Sequence, residues 1–338
     1  MKAVEITRPG EIKVVEREMP QTGNDDVLLR MRYVGFCGSD LSTFRGKNPM
    51  VQYPRIPGHE ISAVIEATGV NVPESFKPGL CVTVVPYTHC GQCSSCRQYR
   101  FNACRYNQTL GVQRDGAMTE YISVPWQKVL PGEGLSEKAL ALVEPLTVGF
   151  HAVANGEITD QDTVMVMGCG MIGSGAIIRA SLRGATVIAV DIDDSKLVTA
   201  GKLGAHYTIN LNTQTLHNEL DLITDGNGPT VAIEAAGNPA AYRTVFEEVA
   251  FAGRVVCIGY AGSEVTLPTK LWVQKELGIM GSRNALPSDF EAVIRQLKDK
   301  RIDENLLVSK TVNAEEAPEA MKLWAEDPGK ILKILVGF

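Results

Sequence analysis

One segment constrains this chain more than any other. Thr163 to Met167 is a short apolar run, and it feeds directly into Gly168-Cys169-Gly170-Met171-Ile172-Gly173. The small and apolar stretch that follows, Ser174 to Ala180, reads as a helix. Strand, tight glycine turn and helix together satisfy such a pattern. Further apolar runs, ATVIAVD, HYTIN, TVAIEAAG and RVVCIGY, alternate with helical stretches such as DDSKLVTAGKLG. Short apolar strands alternating with helices bury both faces of a parallel, doubly wound sheet. The expected fold class is α/β.

The glycines have separate physical tasks. Gly168 admits the tight turn, Gly170 lets the backbone approach a pyrophosphate, and Gly173 lets the helix pack closely on the strand. Met171 and Ile172 open the helix, whose free N–H groups and positive dipole end face the phosphates. Asp191 ends the second strand about twenty residues further on, where a carboxylate accepts the ribose hydroxyls. Its charge repels a 2′-phosphate, and Ile192 rather than an arginine follows it. NAD is therefore expected rather than NADP.

Up to about Pro125 the character is different. VLLRMRYVGF, ISAVIEATGV, LCVTVVPY and MTEYISVP are strand-like runs separated by Gly, Pro and Asn turns, with little helical periodicity. An all-β, barrel-like unit is expected there. Ser136 is the expected N-cap of a connecting helix, which Pro145 should kink or restart. The tail reads helix, helix, strand, and the last strand is expected to rejoin the first unit.

Four of the eight cysteines, Cys90, Cys93, Cys96 and Cys104, fall within fifteen residues. In a reducing compartment such clustering favours metal over disulfides. Tetrahedral zinc takes four closely spaced thiolates, and Gly91, Ser94 and Ser95 are small enough to let the backbone wrap the ion. No open position is implied, so this zinc should be structural. Three other segments carry Cys37-Gly-Ser39-Asp40, Gly58-His59-Glu60 and Glu144-Pro145. Cys37, His59 and a carboxylate give a three-ligand zinc with a fourth position open to water or a substrate oxygen, as a catalytic zinc needs.

With these motifs in this order, the chain resembles the zinc-containing medium-chain dehydrogenase/reductase family over essentially its whole length. The resemblance implies a GroES-like β-barrel catalytic domain (1–150 and 285–338, with the zinc lobe at 88–106) and a Rossmann NAD-binding domain (151–284), with the active site in the cleft between them. It implies Cys37, His59 and Glu144 as ligands of the catalytic zinc, with Glu60 as an alternate ligand. It also implies that Asp40 orients His59 through the other ring nitrogen, and that Ser39 begins a proton relay. A glutamate at 144 is similar to the polyol and threonine dehydrogenase branch. The runs Gln52-Tyr53-Pro54-Arg55 and Gly281-Ser282-Arg283-Asn284-Ala285 resemble enzymes that oxidise L-galactonate or L-gulonate at carbon 5, although Gln113 stands where that group often has histidine. Ser282 and Arg283 are expected to contact the cofactor. Arg45, Asn48, Arg114, Arg283 and Asn284 are loop residues expected to reach a polar substrate, where an arginine binds a carboxylate bidentately.

The expected activity is thus NAD-linked oxidation of a secondary hydroxyl of a sugar acid. The rivals are a polyol, polyol-phosphate or threonine dehydrogenase. A non-catalytic NAD-binding sensor is opposed by the presence of Cys37, His59 and Glu144 together. The net charge of −6 argues against nucleic acid or an anionic membrane as partner. No apolar stretch reaches the roughly 18 residues of a membrane span, and the start lacks a signal-peptide core. A cytoplasmic homodimer or homotetramer is expected.

Overall fold

The computed structural model describes residues 1–338, which divide into two compact units: Met1–Pro145 with Leu286–Phe338, and Leu146–Ala285. In chain order the first unit contributes β1 (Lys2–Arg8), β2 (Glu11–Glu16), β3 (Asp26–Phe36), β4 (Glu60–Thr68), β5 (Cys81–Val84), β6 (Tyr121–Pro125) and β7 (Val129–Pro131). The second contributes β8 (Thr163–Met167), β9 (Thr186–Asp191), β10 (Tyr207–Asn210), β11 (Val231–Glu234), β12 (Arg254–Cys257) and β13 (Gly278–Gly281). The chain then returns to the first unit for β14 (Lys310–Asn313) and β15 (Ile334–Gly337).

In the first unit β1 and β2 form a hairpin, and the main sheet runs β14-β15-β3-β4-β5-β7 with β6 added on β3. All its pairs are antiparallel except β14 with β15. Alternation sets which face is buried: Val27, Leu29 and Met31 of β3 are fully enclosed, while the residues between them are partly open. The register of β3 against β4 shifts twice, at Leu28/Leu29 and at Met31/Tyr33, and such bulges bend a strand and strengthen its twist. As expected, the last strand joins this unit: β15 pairs with β3, Ile334 opposite Phe36.

The second unit is a six-stranded parallel sheet in the order β10-β9-β8-β11-β12-β13. The order reverses between β8 and β11, and such switch points, at the carboxyl ends of the strands, are where open α/β sheets bind ligands. No helix of the chain is long and apolar enough to cross a membrane.

One local feature follows the sequence pattern and a second departs from it. The connecting helix is split into Glu137–Ala141 and Val143–Asn155, with Ser136 Oγ accepting from Ala139 N at the first start. Pro145 lies in the first turn of the second helix, where its missing N–H costs no hydrogen bond. The second feature is a seven-residue helix, Gly38–Phe44, directly after Cys37. It is too short to show a helical period in sequence.

Candidate metal and nucleotide sites

Two neighbouring strand ends build the first cluster. Cys37 follows the last residue of β3, and His59 precedes the first residue of β4. These strands pair antiparallel with Gly35 opposite Glu60, so Cys37 and His59-Glu60 meet at one end of the sheet. One ligand atom from each of Cys37, His59 and Glu60 lies within 4.8 Å of the others. Gly35 is needed here: a Cβ at that position would lie 1.9 Å from Glu60 Oε2.

The cluster is buried and rich in acids. His59, Glu60, Asp40 and Glu144 are each 5% exposed or less. Burial opposes charge on His59, but the neighbouring Cys37, Glu144 and Asp40 outweigh it and hold the imidazole pKa well above its ordinary value. Burial, reinforced by Glu144, pushes Glu60 up to about 7 against the pull of Lys333. His59 Nδ1 and Asp40 Oδ1 are both buried without a hydrogen-bond partner. Thiolate, imidazole and carboxylate donors, gathered beside uncompensated acceptors, fit a divalent zinc ion.

Two residues of this cluster were not singled out from the sequence. Lys333 is 3% exposed, and its Nζ lies 2.5 Å from each Glu60 oxygen and 3.0 Å from Phe36 O. Tyr87 is 5% exposed, and its hydroxyl donates to Glu144 Oε1. Burial, with the Glu144 carboxylate beside it, raises the phenol pKa well above its usual value. A lysine inside the otherwise apolar Ile331-to-Val336 run is itself a signal, because a buried charge requires a partner.

The hydrogen bond expected between Asp40 and His59 is not among the contacts present, and Asp40 Oδ1 and His59 Nδ1 are both left without a partner. Asp40 Oδ2 instead accepts from Cys37 N at 2.9 Å, closing the start of helix Gly38–Phe44. An acid three residues into a helix reaches the N-cap N–H, and this local bond takes one of the two carboxylate oxygens. Ser39 Oγ is buried and without a partner.

The four-cysteine lobe holds all its thiols unpaired by disulfides and within 4.8 Å of one another. Cys90 and Cys96 sulfurs are 4.0 Å apart, and Cys93 and Cys104 sulfurs 3.9 Å. Tetrahedral zinc with bonds of about 2.3 Å spaces its sulfurs by about 3.8 Å, so the lobe is already set for the ion. Backbone N–H groups of Cys93, Cys90 and Tyr106 donate to these sulfurs at 3.3–3.4 Å. Hydrogen bonds, from Ser95 first, lower Cys93 to about 5, as a thiolate ligand requires.

In the second unit Gly168 has φ +99°, and a Cβ on Gly173 would lie 1.8 Å from Gly168 O. Helix Met171–Leu182 starts at Gly170, which offers no capping side chain, and a Cβ there would meet nothing within 4 Å. The turn thus leaves room for a ligand at a helix N-terminus, as a pyrophosphate needs. Asp191 Oδ2 accepts from Cys169 N at 2.7 Å, and Oδ1 accepts from Ile192 and Asp193 N. Ser282 follows β13; its N–H donates to Cys257 O at 2.8 Å, and its hydroxyl is buried without a partner. Arg283 and Asn284 come next, Asn284 with φ +52°.

The expected substrate residues divide. Arg45 caps the C-terminal end of helix Gly38–Phe44 and donates to Ala325 O. That end lies about 12 Å along the axis from Cys37, at 1.5 Å per residue. Asn48 bonds Thr43 Oγ1 and Met50 N, both at 3.1 Å. Asn48 thus organises its own loop, and Arg45 ties the helix end to the carbonyl of Ala325. Arg114 is placed differently. It sits on a turn whose Gly111 and Gly116 pack on the Pro57-Gly58 backbone, where a Cβ on either would lie within 2.5 Å of Gly58. Its Nε is buried and unpartnered, and burial lowers its pKa.

Two family descriptions match: alcohol dehydrogenase GroES-like domain over residues 23–134, and zinc-binding dehydrogenase over 172–299. L-galactonate-5-dehydrogenase of Escherichia coli K12 is 32% identical over 91% of this chain and 91% of its own length. Sorbitol dehydrogenase of Bacillus subtilis is 33% identical over 99% of this chain and 97% of its own. An alcohol dehydrogenase structure from Escherichia coli CFT073, complexed with NADH, superposes with a TM-score of 0.92 at 31% identity, covering 100% of this chain and 99% of that one.

Proposed function

We propose, from the premise that this chain belongs to the zinc-binding alcohol dehydrogenase family, that it oxidises a secondary hydroxyl of a sugar acid, of the L-galactonate or L-gulonate type at carbon 5, to the keto acid. Membership makes the chain a zinc- and nicotinamide-dependent oxidoreductase of the polyol and sugar branch. The substrate and the residue roles are our reading. Zinc, held by Cys37, His59 and a glutamate, supplies a Lewis acid toward the substrate hydroxyl, and NAD supplies the hydride acceptor. Ser39 Oγ, buried and unengaged, would begin the proton relay, taking the hydroxyl proton as it passes its own on toward solvent. Asp40 holds the Cys37 backbone in place. Gly168 to Gly173 and the helix they open hold the pyrophosphate, Asp191 the ribose, and Ser282 and Arg283 the nicotinamide end. Cys90, Cys93, Cys96 and Cys104 hold the structural zinc.

The observation that carries the sugar-acid reading is Arg114, a partly buried guanidinium with an unpartnered Nε, on a turn whose Gly111 and Gly116 pack on the Pro57-Gly58 backbone. A carboxylate in bidentate contact supplies what that group lacks, and the similarity to L-galactonate-5-dehydrogenase supports the same class. The similarity to sorbitol dehydrogenase favours a neutral polyol as the second reading. We take the protein to act in the cytoplasm as a homodimer or homotetramer.

The test is a panel of aldonates, polyols, polyol phosphates, threonine and simple alcohols with NAD, followed by absorbance of the reduced cofactor. Turnover of L-galactonate, L-gulonate or a close relative is expected. Turnover of neutral polyols alone would move the substrate and leave the mechanism. Cys37→Ser should lose more activity than the roughly 10–100-fold of an outer-shell change, while NADH titration stays normal. Unimpaired turnover in that variant would remove Cys37 from the site.

A further inference from the structure

Two buried glutamates share the cluster around Cys37 and His59, and each is held by a different residue. Lys333 clamps Glu60 through both carboxylate oxygens. Tyr87 holds Glu144 through its hydroxyl. Ligand atoms of Cys37, His59 and Glu60 close to within 4.8 Å of one another, whereas Glu144 stands outside that group. Tyr87 is fixed as well as buried: its ring packs edge-to-face on Phe290 with centroids 6.3 Å apart. A buried phenol requires a hydrogen-bond acceptor, so Tyr87 competes with any cation in the cluster for the Glu144 carboxylate.

We propose that Tyr87 is a positioning residue that keeps Glu144 off the metal. This rests on the zinc reading given under Proposed function. The phenol is a donor only, in this setting, and offers Glu144 a neutral partner in place of a cation. Without that hydroxyl, Glu144 turns to the strongest positive charge within reach, and the metal gains a donor. The direction distinguishes this role from a merely structural one. Loss of an ordinary outer-shell partner weakens metal binding by about 10–100-fold; loss of the Tyr87 hydroxyl should strengthen it.

The experiment uses the full chain with cobalt in place of zinc, because cobalt visible bands weaken as coordination rises above four. Wild type should take up two cobalt ions per chain. Tyr87→Phe should show weaker visible bands and about tenfold slower loss of the metal to a chelator. Glu144→Gln alone should leave the wild-type spectrum unchanged, and adding it to Tyr87→Phe should restore that spectrum. A Tyr87→Phe protein with the wild-type spectrum and wild-type metal loss would overturn the proposal. So would Glu144→Gln changing the wild-type spectrum, since Glu144 would then already be a ligand; this variant can overturn the proposal even if Tyr87→Phe fails to fold. Uptake of a single cobalt by wild type would instead overturn the catalytic-metal reading, and this inference with it.

Discussion

Asp191 accepts N–H groups from Cys169, Ile192 and Asp193, so its carboxylate is fixed at the end of β9. A charge held this way discriminates between cofactors, because a 2′-phosphate would approach an immobile anion. Two unit charges at 4 Å repel by about 1 kcal/mol in water and about 4 kcal/mol near a protein surface. Asp191→Ala should therefore raise KM for NAD and reduce the preference for NAD over NADP by about tenfold or more, measured as the ratio of kcat/KM values. An unchanged ratio would place the ribose contact elsewhere. The place of Asp191 beside the glycine turn was legible because it depends on spacing along a single strand–turn–helix unit. Tyr87 and Lys333 were not, because their partners are 57 and 273 residues away. Asp40 illustrates a third case. Its position three residues after Cys37 already signals a helix cap, and that local bond takes one carboxylate oxygen while the other stays without a partner.

At the scale of elements, sequence spacing reaches as far as each element is self-contained. The lobe from Cys90 to Cys104 was legible because its ligands all come from one loop, and the structure brings their sulfurs to zinc-like separations. Helix Gly38–Phe44 was not, since two turns bounded by glycine leave no apolar period to read. The lobe has only a four-residue helix and a three-residue turn of 3-10 helix to order it, so the metal must supply much of its stability. Cys96→Ser should lower zinc content by one ion per chain and open the segment between Cys90 and Cys104 to limited proteolysis. A loss of only about 2 kcal/mol would lower Tm by roughly 4–8 °C in a unit of this size. Full zinc content with an unshifted melt would mean that the thiols merely pack.

At the scale of the whole molecule, the six-stranded sheet of the second unit has two ends, and β13 is one of them. It pairs only with β12, reads Gly-Ile-Met-Gly, and has neither a charge nor a proline to discourage another strand. Ile279 on this strand is 41% exposed, Val273 just before it 83%, and Phe251 72%. Lys275 O accepts from Ala252 N, and Gly253 O from Gly278 N, which ties the Phe251 turn to the strand's start. Exposed apolar side chains beside an open strand edge favour association. In a two-fold assembly the same edge would serve both partners. Sedimentation should therefore show a dimer or a larger homo-oligomer. Ile279→Lys should shift it toward monomer, because a lysine on an edge strand opposes pairing. The monomer should still bind NADH, since Gly168 to Gly173 lie in the turn after β8 and the start of helix Met171–Leu182, and Asp191 ends β9. An unaltered sedimentation profile in the variant would locate the subunit contact on another face. A monomeric wild type would remove the oligomer from the proposal while leaving both metal sites and the nucleotide site as they stand.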